Sequence, residues 1–412
     1  MKITTIAWRN VGRNLRRSVL SAAAIAVATT AIVMLFSLLE GMKSDLEYNL
    51  TTFYTGEVQL RDAEYGRYEH LNPLHLAVED AEAIVDRVAA IEGVSSVVPR
   101  ITVPGAVFEE DERVGLTAVG VDFAREADYS DIADYVVAGE LSEVTDQSGD
   151  ERITAVLVGN AVLDRLGIEL GDRFTIVVRT AMRGTNAMTF RAAAVADFPV
   201  QTLNERAFWA PFARIQRLAK MPGQAGEILT KLAPDADRTA TLSAVRAVAP
   251  DLEVRHFTEM ETTYSFLEMA SNVYNVIALF FFVLASTVVI NTTMMVIFER
   301  RREIGTLEAM GMRSRELVRM FFTEAVILAV IGAFVGLVVG SGLTLILGHV
   351  GIDFGSSMEG VDFEISPVLY PILNLRSTVL VFVFSVVVSG ATSYLPTRKI
   401  TKIEPVAALR EE

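Results

Sequence analysis

The sequence predicts an α+β membrane protein with four transmembrane helices, one followed by three, and a large extracytoplasmic domain combining a βαββαβ-like body with a β-rich inserted subdomain. Three observations carry this reading. Four charge-poor stretches, Ser18 to Leu39, Asn272 to Phe298, Ala325 to Gly348 and Ser377 to Leu395, each reach the roughly 20 residues a helix needs to cross about 30 Å of hydrocarbon. Residues 41–271 separate the first two stretches, whereas the last three follow closely, so one large folded segment lies on one side. Basic residues sort to the other side. Lys2, Arg9, Arg13, Arg16 and Arg17 precede the first span with no acid among them, and the positive-inside rule holds that end in the cytoplasm.

The remaining loops agree. Arg300, Arg301, Arg302, Arg313, Arg315 and Arg319 fall between spans two and three, and Arg398, Lys399, Lys402 and Arg410 follow span four. Residues 41–271 hold 21 basic and 38 acidic residues, a net of −17 against −14 for the whole chain, which argues against nucleic-acid binding and suits an exported domain. Asp353, Glu359, Asp362 and Glu364 place the loop 349–376 outside as well. The expected map is therefore a cytoplasmic amphipathic N-terminus (1–17), a first span (18–40), the extracytoplasmic domain (41–271), a second span (272–298), a cytoplasmic loop (299–319), a third span (320–348), an outer loop (349–376), a fourth span (377–395) and a cytoplasmic tail (396–412). A cleaved signal peptide is the alternative for the first span, but 22 uncharged residues exceed the usual core of about 7 to 15. With no cysteine, the chain has no disulfide, thiol catalysis or iron–sulfur ligation of its own.

Within the extracytoplasmic segment, Val78 to Ile91 reads as an amphipathic helix ended by Gly93, with Val94 to Val103 as a strand. A similar unit recurs at Thr239 to Val248 and Leu252 to Phe257, with Pro250 between them. Candidate strands between these units are Val114 to Val121, Thr154 to Val158, Phe174 to Val178, Thr189 to Ala196 and Glu227 to Leu232, the inserted subdomain. Asp146 to Glu151 reads as a solvated loop and Arg179 to Met188 as a hairpin tip.

Chemistry is sparse. No G-x-x-x-x-G-K-[ST] occurs, so no phosphate cradle of that kind exists in the chain. His70, His75, His256 and His349 show no metal-site spacing, and the acid pairs Glu109–Glu110 and Asp111–Glu112 read as a solvated edge, so neither a catalytic nor a metal site is expected. The most specific stretch is Glu299 to Leu317. Arg302 to Met310 can form a short helix with Ile304, Leu307 and Met310 on one side and Gly311 ending it. An apolar side in a short polar loop needs a cover, which favours a docked protein partner over lipid head groups alone.

The run Arg302-Glu303-Ile304-Gly305-Thr306-Leu307-Glu308-Ala309-Met310-Gly311, followed by Phe321, Glu324, Ala325, Gly332, Gly336 and Gly340, resembles the FtsX-type permease domain of ABC transporters. The ending Pro396 to Ile400 with Glu404 to Arg410 is similar to that family's. Such a resemblance implies that Arg302 to Gly311 is a coupling helix receiving force from a separate cytoplasmic ATPase, present in two copies and binding the ATP and Mg, with no cofactor in this chain. It also implies a bacterial inner-membrane location and a second permease, identical or a paralogue. One span, a large exterior domain and three more spans resemble the MacB and LolC/LolE branches. Leu157 to Arg173 and Ala207 to Leu218 are similar to lipoprotein-releasing permeases, although the hairpin Arg179 to Arg191 is shorter than in carrier-recruiting members.

Further expectations concern how the parts work. Gly332, Gly336 and Gly340 form a double G-x-x-x-G that lets a helix approach closely, either within one subunit or across a dimer. Glu324 is expected either to sit at the interface or to meet an arginine such as Arg319 in a structural ion pair. Met34, Phe36, Leu38, Leu39 and Met42 on span one, with Tyr264, Phe266, Leu267, Met269 and Tyr274 at span two, form either a groove for a lipid-like cargo or an ordinary belt facing membrane lipids. Three functions fit: mechanotransmission that extracts lipoproteins or other amphiphiles, with or without a periplasmic carrier; MacB-like efflux of peptides or drugs; and FtsX-like regulation of an exterior enzyme.

Overall fold

A computed structural model describes residues 7–9, 11–12, 15–109, 112–145, 153–300, 304–307, 310–354, 366 and 368–397. The loop 146–151, residues 355–365, the tail 398–412 and the side chains of the acid pairs at 109–112 lie outside the described residues. In chain order the main elements are α1 (Leu15–Asn49), β1 (Val58–Asp62), α2 (Ala81–Ala89), β2 (Val94–Glu109), β3 (Glu112–Val121), α3 (Phe123–Ser130), β4 (Val136–Gly139), β5 (Thr154–Gly159), α4 (Asn160–Leu166), β6 (Arg173–Arg179), β7 (Thr185–Ala196), β8 (Ala207–Pro211), α5 (Phe212–Ala219), β9 (Glu227–Leu232), α6 (Arg238–Val248), β10 (Leu252–His256), α7 (Glu261–Glu299), α8 (Ser314–Val350) and α9 (Leu375–Thr397). They divide into a membrane unit, Met1–Lys43 with Leu267–Asp353 and Val368–Glu412, and an exterior unit, Ser44–Phe266 with Phe354–Pro367.

In the exterior unit, β10, β1, β9 and β2 lie side by side, every pair antiparallel. With α2 after β1 and α6 after β9, this is the expected βαββαβ body. Its core is made where helix and strand periodicities meet: Ile84, Val85 and Val88 of α2 and Leu242 and Val245 of α6 pack on Val58, Leu60, Val97, Ile228 and Val254. Asp237 starts α6 by accepting hydrogen bonds from the amides of Thr239 and Ala240. The first helix is shorter than its periodicity predicts. Both backbone groups of Val78 are bonded to Ala225, and Asp80 has φ 47, so α2 cannot begin before Ala81.

The β-rich insertion is not a separate sheet. Strand β2 continues past the body for 16 residues in all, pairing with β9 over Val94–Arg100 and then with β6 over Gly105–Val107, while its other edge carries β3. From β3 the pairing runs through β8, β5, β7 and β6 back to β2, closing a six-stranded ring. Closure removes free edges. Inside the ring the Phe174, Phe190 and Phe208 side chains stack with centroids 5.1 to 6.1 Å apart, surrounded by Ile101, Val103, Leu116, Val158 and Ile176. Gly105 is required there, because a Cβ would lie 2.6 Å from the Ile176 side chain.

Among the described residues, Ser18–Tyr54, Ser314–Val350 and Leu375–Tyr394 are long and apolar enough to cross a membrane, and α7 contains a shorter apolar stretch, Asn272–Phe281. At 35 and 39 residues, α1 and α7 far exceed the roughly 20 that span a bilayer. Each is joined to the exterior sheet by a tight structure. After α1 the chain makes a π-helical turn, Leu50–Tyr54. Before α7, His256 and Glu259 form a capping box, in which the imidazole Nδ1 accepts from the Thr258 amide and the Glu259 carboxylate accepts from the His256 amide.

Burial first, then the nearby Arg238 charge, hold the His256 imidazole below its usual 6.5, with Glu259 acting the other way. As pH falls through 6.5 the unfolded chain takes up a proton before the folded one does, so this group's contribution to stability is present at neutral pH and lost on acidification. Thermal unfolding of the detergent-solubilised chain at pH 7.5 and 5.5, followed through buried Trp209, should show a larger acid-induced fall in Tm for wild type than for His256→Asn. Equal falls would remove His256 from the account.

Candidate functional site: the coupling corner and the membrane helices

The described residues between α7 and α8 form a corner packed on both helices. Ile304 is 1% exposed and packs with Ile297 of α7 and with Leu317, Met320 and Phe321 of α8, with Leu307, Met312 and Val318 at the margin. The Ile304 amide donates to the Arg300 carbonyl, and the Met310 amide donates to that of Thr306. Gly311, at φ +96, ends the segment, and the Met312 amide reaches back to the Leu307 carbonyl, a closure that an L side chain at position 311 would strain.

This geometry corrects one expectation. The apolar side of the loop is not left for a partner, because Ile304 and Leu307 are covered by the chain's own helices. Met310, at 71% exposure, points away from that cluster, with Thr306 also exposed. Gly305 is buried, and Arg302, Glu303, Glu308 and Ala309 lie outside the described residues. Sequence periodicity could not distinguish an inner cover from an outer one, since both satisfy an apolar stripe.

Glu324 pairs with Arg300 rather than Arg319. Their nearest atoms are 3.6 Å apart and both side chains are about nine-tenths buried. Arg300 sits one turn before the corner and Glu324 inside α8, so the pair locks the two helices at the level of the loop. Arg319 is exposed.

Gly332, Gly336 and Gly340 face α1 of the same chain. A Cβ on Gly332 would lie 2.5 Å from the Ala22 carbonyl oxygen, one on Gly336 would collide with that of Ala26, and one on Gly340 would lie 3.0 Å from Val33 Cβ. The ridge is thus a groove for a neighbouring backbone. Hydroxyls add polar contacts: Thr30 donates to the Gly336 carbonyl at 3.0 Å, Thr29 to Ser385 at 3.2 Å, Thr344 to Ser37 at 3.2 Å and Thr392 to Ser286 at 3.1 Å. These side chains, which the sequence reading passed over, tie α1, α7, α8 and α9 together.

The lip residues divide. Phe36 packs beside Ile32, Val33, Ala278 and Val381 in the bundle, Met34 sulfur accepts from Thr344 at 3.6 Å, and the Tyr274 hydroxyl donates to Met42 sulfur at 3.1 Å. Leu39 is half-buried, and the side chains of Phe266 and Leu267 lie outside the described residues. Among the described residues no group of three or more His, Cys, Asp or Glu could hold a metal ion.

Two family models match the chain: the MacB-like periplasmic core domain over residues 18–248 and the FtsX-like permease C-terminal over residues 275–405. The chain belongs to the FtsX/MacB-like permeases of ABC transporters. Macrolide export ATP-binding/permease protein MacB of Rhodospirillum rubrum is 23% identical over 435 residues, covering 99% of this chain and 60% of that protein. Pyoverdine export ATP-binding/permease protein PvdT of Pseudomonas fluorescens is 35% identical over 114 residues, 28% of this chain and 15% of that protein. The periplasmic region of MacB from Actinobacillus actinomycetemcomitans aligns with a TM-score of 0.35 at 12% identity, over 50% of this chain and 92% of that one. The chain spans about 60% of the length of the curated relatives it matches end to end. Both permease modules are therefore present, and the lipoprotein-releasing branch is not singled out by these relatives.

Two outcomes check the packing. Gly336→Val should lower the Tm in mild detergent, overpacking costing about 1 to 3 kcal/mol, whereas Gly342→Val, with nothing within 4 Å of its Cβ, should leave it unchanged. Ile304→Ala should cost about 2 to 5 kcal/mol through the cavity it leaves, against about 0.5 kcal/mol or less for Met310→Ala.

Proposed function

We propose that this chain is the permease subunit of an ABC transporter of the bacterial inner membrane, with both termini in the cytoplasm and its large domain outside. A separate cytoplasmic ATPase, in two copies, binds ATP and Mg and docks on the segment Arg302–Gly311 of two permease copies. ATP-driven closure shifts α1 and α7 and so displaces the exterior domains, moving an amphiphilic cargo by mechanotransmission rather than through a water-filled pore. Support comes from the corner at Ile304: a loop braced from within by two helices, with Met310 left exposed, is suited to receive a push and pass it to α7 and α8. The unbroken length of α1 and α7 supports transmission beyond the membrane.

The cargo class proposed first is an exported amphiphilic small molecule, in keeping with the export functions in the relatives' names. Lipoprotein extraction is the second reading, favoured by the apolar lip Met34, Phe36, Leu39 and Tyr274 with Phe266 and Leu267. No nucleic acid is involved.

Purification of the tagged full chain from native membranes, with mass spectrometry of its companions, tests the docking. Met310→Glu should lose most of the copurifying ATPase with Tm unchanged. Retention at wild-type level, or no ATPase with the wild type, would refute the assignment. Leu39 is half-buried and outside the packed cluster, and Leu39→Asp should reduce acylated proteins recovered with the complex under the lipoprotein reading and leave them unaltered under small-molecule export.

A further inference from the structure

The strongest unassigned feature is a buried charge cluster at the outer end of α1. A helix leaves its last carbonyls without intrahelical partners, and here three successive ones are taken by side chains from elsewhere in the exterior unit. The Tyr129 hydroxyl of α3 donates to the Thr51 carbonyl at 2.9 Å. Arg100 of β2 donates through one nitrogen to the Thr52 carbonyl at 2.9 Å and through the other to the Phe53 carbonyl at 2.7 Å. The same guanidinium is ion-paired with Glu126 of α3 and lies 5.2 Å from the centre of the Tyr129 ring.

This is a poor arrangement for stability alone. Arg100 and Glu126 are 2% and 1% exposed, and Arg100 Nε and one Glu126 oxygen have no hydrogen-bond partner among the described residues. A buried ion pair is weak support for stability and is often matched by apolar packing. What this one does supply is direction: a planar fork whose positive charge meets the negative end of the α1 dipole. The turn it grips is already distorted, with the Thr55 amide bonded to the Leu50 carbonyl at 2.7 Å in a π-helical closure. Gly56 follows at φ +68, where a Cβ would lie 3.1 Å from the Tyr129 hydroxyl. From the other side, Phe53 is held edge-on by Tyr135 and Phe198 at 5.6 and 5.5 Å.

We propose that Arg100, oriented by Glu126 and Tyr129, is the latch that fixes the π turn Leu50–Tyr54 to the exterior domain, and that displacement of α1 reaches that domain through this latch. Arg100 is a positioning residue in this role. The inference rests on the mechanotransmission reading and deepens it by naming the joint.

The test uses the full chain in the complex purified from native membranes, with hydrogen exchange read peptide by peptide, before and after vanadate trapping of the ATPase. Arg100→Lys keeps a charge opposite Glu126 but not the planar fork. The double variant Arg100→Gln with Glu126→Gln removes both charges and guards against misfolding from one charge left alone. In wild type, trapping should alter exchange in 44–57 and in β2 and β9. In either variant the amides of 50–57 should exchange at least tenfold faster, those of β5, β7 and β8 should stay as in wild type, ATP hydrolysis should persist, and the trapping response should no longer reach β2 and β9. Unchanged exchange at 50–57 would overturn the latch. Faster exchange throughout the domain, or a trapping response that still reaches β2 and β9, would overturn its role in transmission. A wild-type complex that shows no trapping response outside the membrane would overturn the transport reading itself, and the exchange at 50–57 measured without nucleotide keeps that failure distinct.

Discussion

The exterior unit is organised around the point where β2 leaves its pairing with β9 and continues into the six-stranded ring of the same sheet, and Arg100 sits at that point. Its backbone pairs with Glu227 of β9 on one side and Val121 of β3 on the other. Its side chain is committed to Glu126 and to the end of α1. A strand of 16 residues can serve both the body and the ring of one sheet only if its twist carries it from the first into the second. The four-stranded body, the six-stranded ring and the π turn Leu50–Tyr54 therefore meet at one buried guanidinium. Glu227, next to it in the sheet, is in turn tied to Gln59 and Arg61 of β1, so that charge satisfaction extends across three strands.

In the membrane unit a different constraint operates. Lipid is as apolar as leucine, so burial alone cannot choose which helices meet. Shape does so here. Three glycines spaced by four residues open a groove on α8 into which the α1 backbone at Ala22 and Ala26 fits. Hydroxyl pairs such as Thr344–Ser37 then fix the register. At the corner the packing is by larger side chains, Ile297, Ile304, Leu317 and Phe321, and the Arg300–Glu324 pair closes it. Met310 remains exposed beside this packed cluster.

Several elements were legible from local pattern because their causes are local. Ile84, Val85 and Val88 repeat at helical spacing, Pro250 follows Thr239–Val248 as a stop, and Phe174–Val178 alternates as a strand. Strand β1 and strand β8 escaped notice: Val58–Asp62 is short and half polar, and Ala207–Pro211 is buried throughout and so shows no alternation. The start of α2 was overestimated because Val78 is captured by Ala225, a residue about 150 positions away. At the site, the loop Arg302–Gly311 was visible as a stretch, but its inner and outer sides were not.

Sequence by itself determined the four apolar stretches, the charge asymmetry across them, the acidic exterior segment and the permease signature around Arg302–Gly311. Hydropathy, charge and a contiguous motif are properties of neighbouring residues and need no fold to be read. Only tertiary structure decided that the inserted strands close on β2, that Ile304 is covered from within, that Glu324 chooses Arg300 over Arg319, and that the glycine ridge receives α1. Each of those depends on which of several chemically equivalent partners chain geometry brings within reach, and one-dimensional order leaves that choice open.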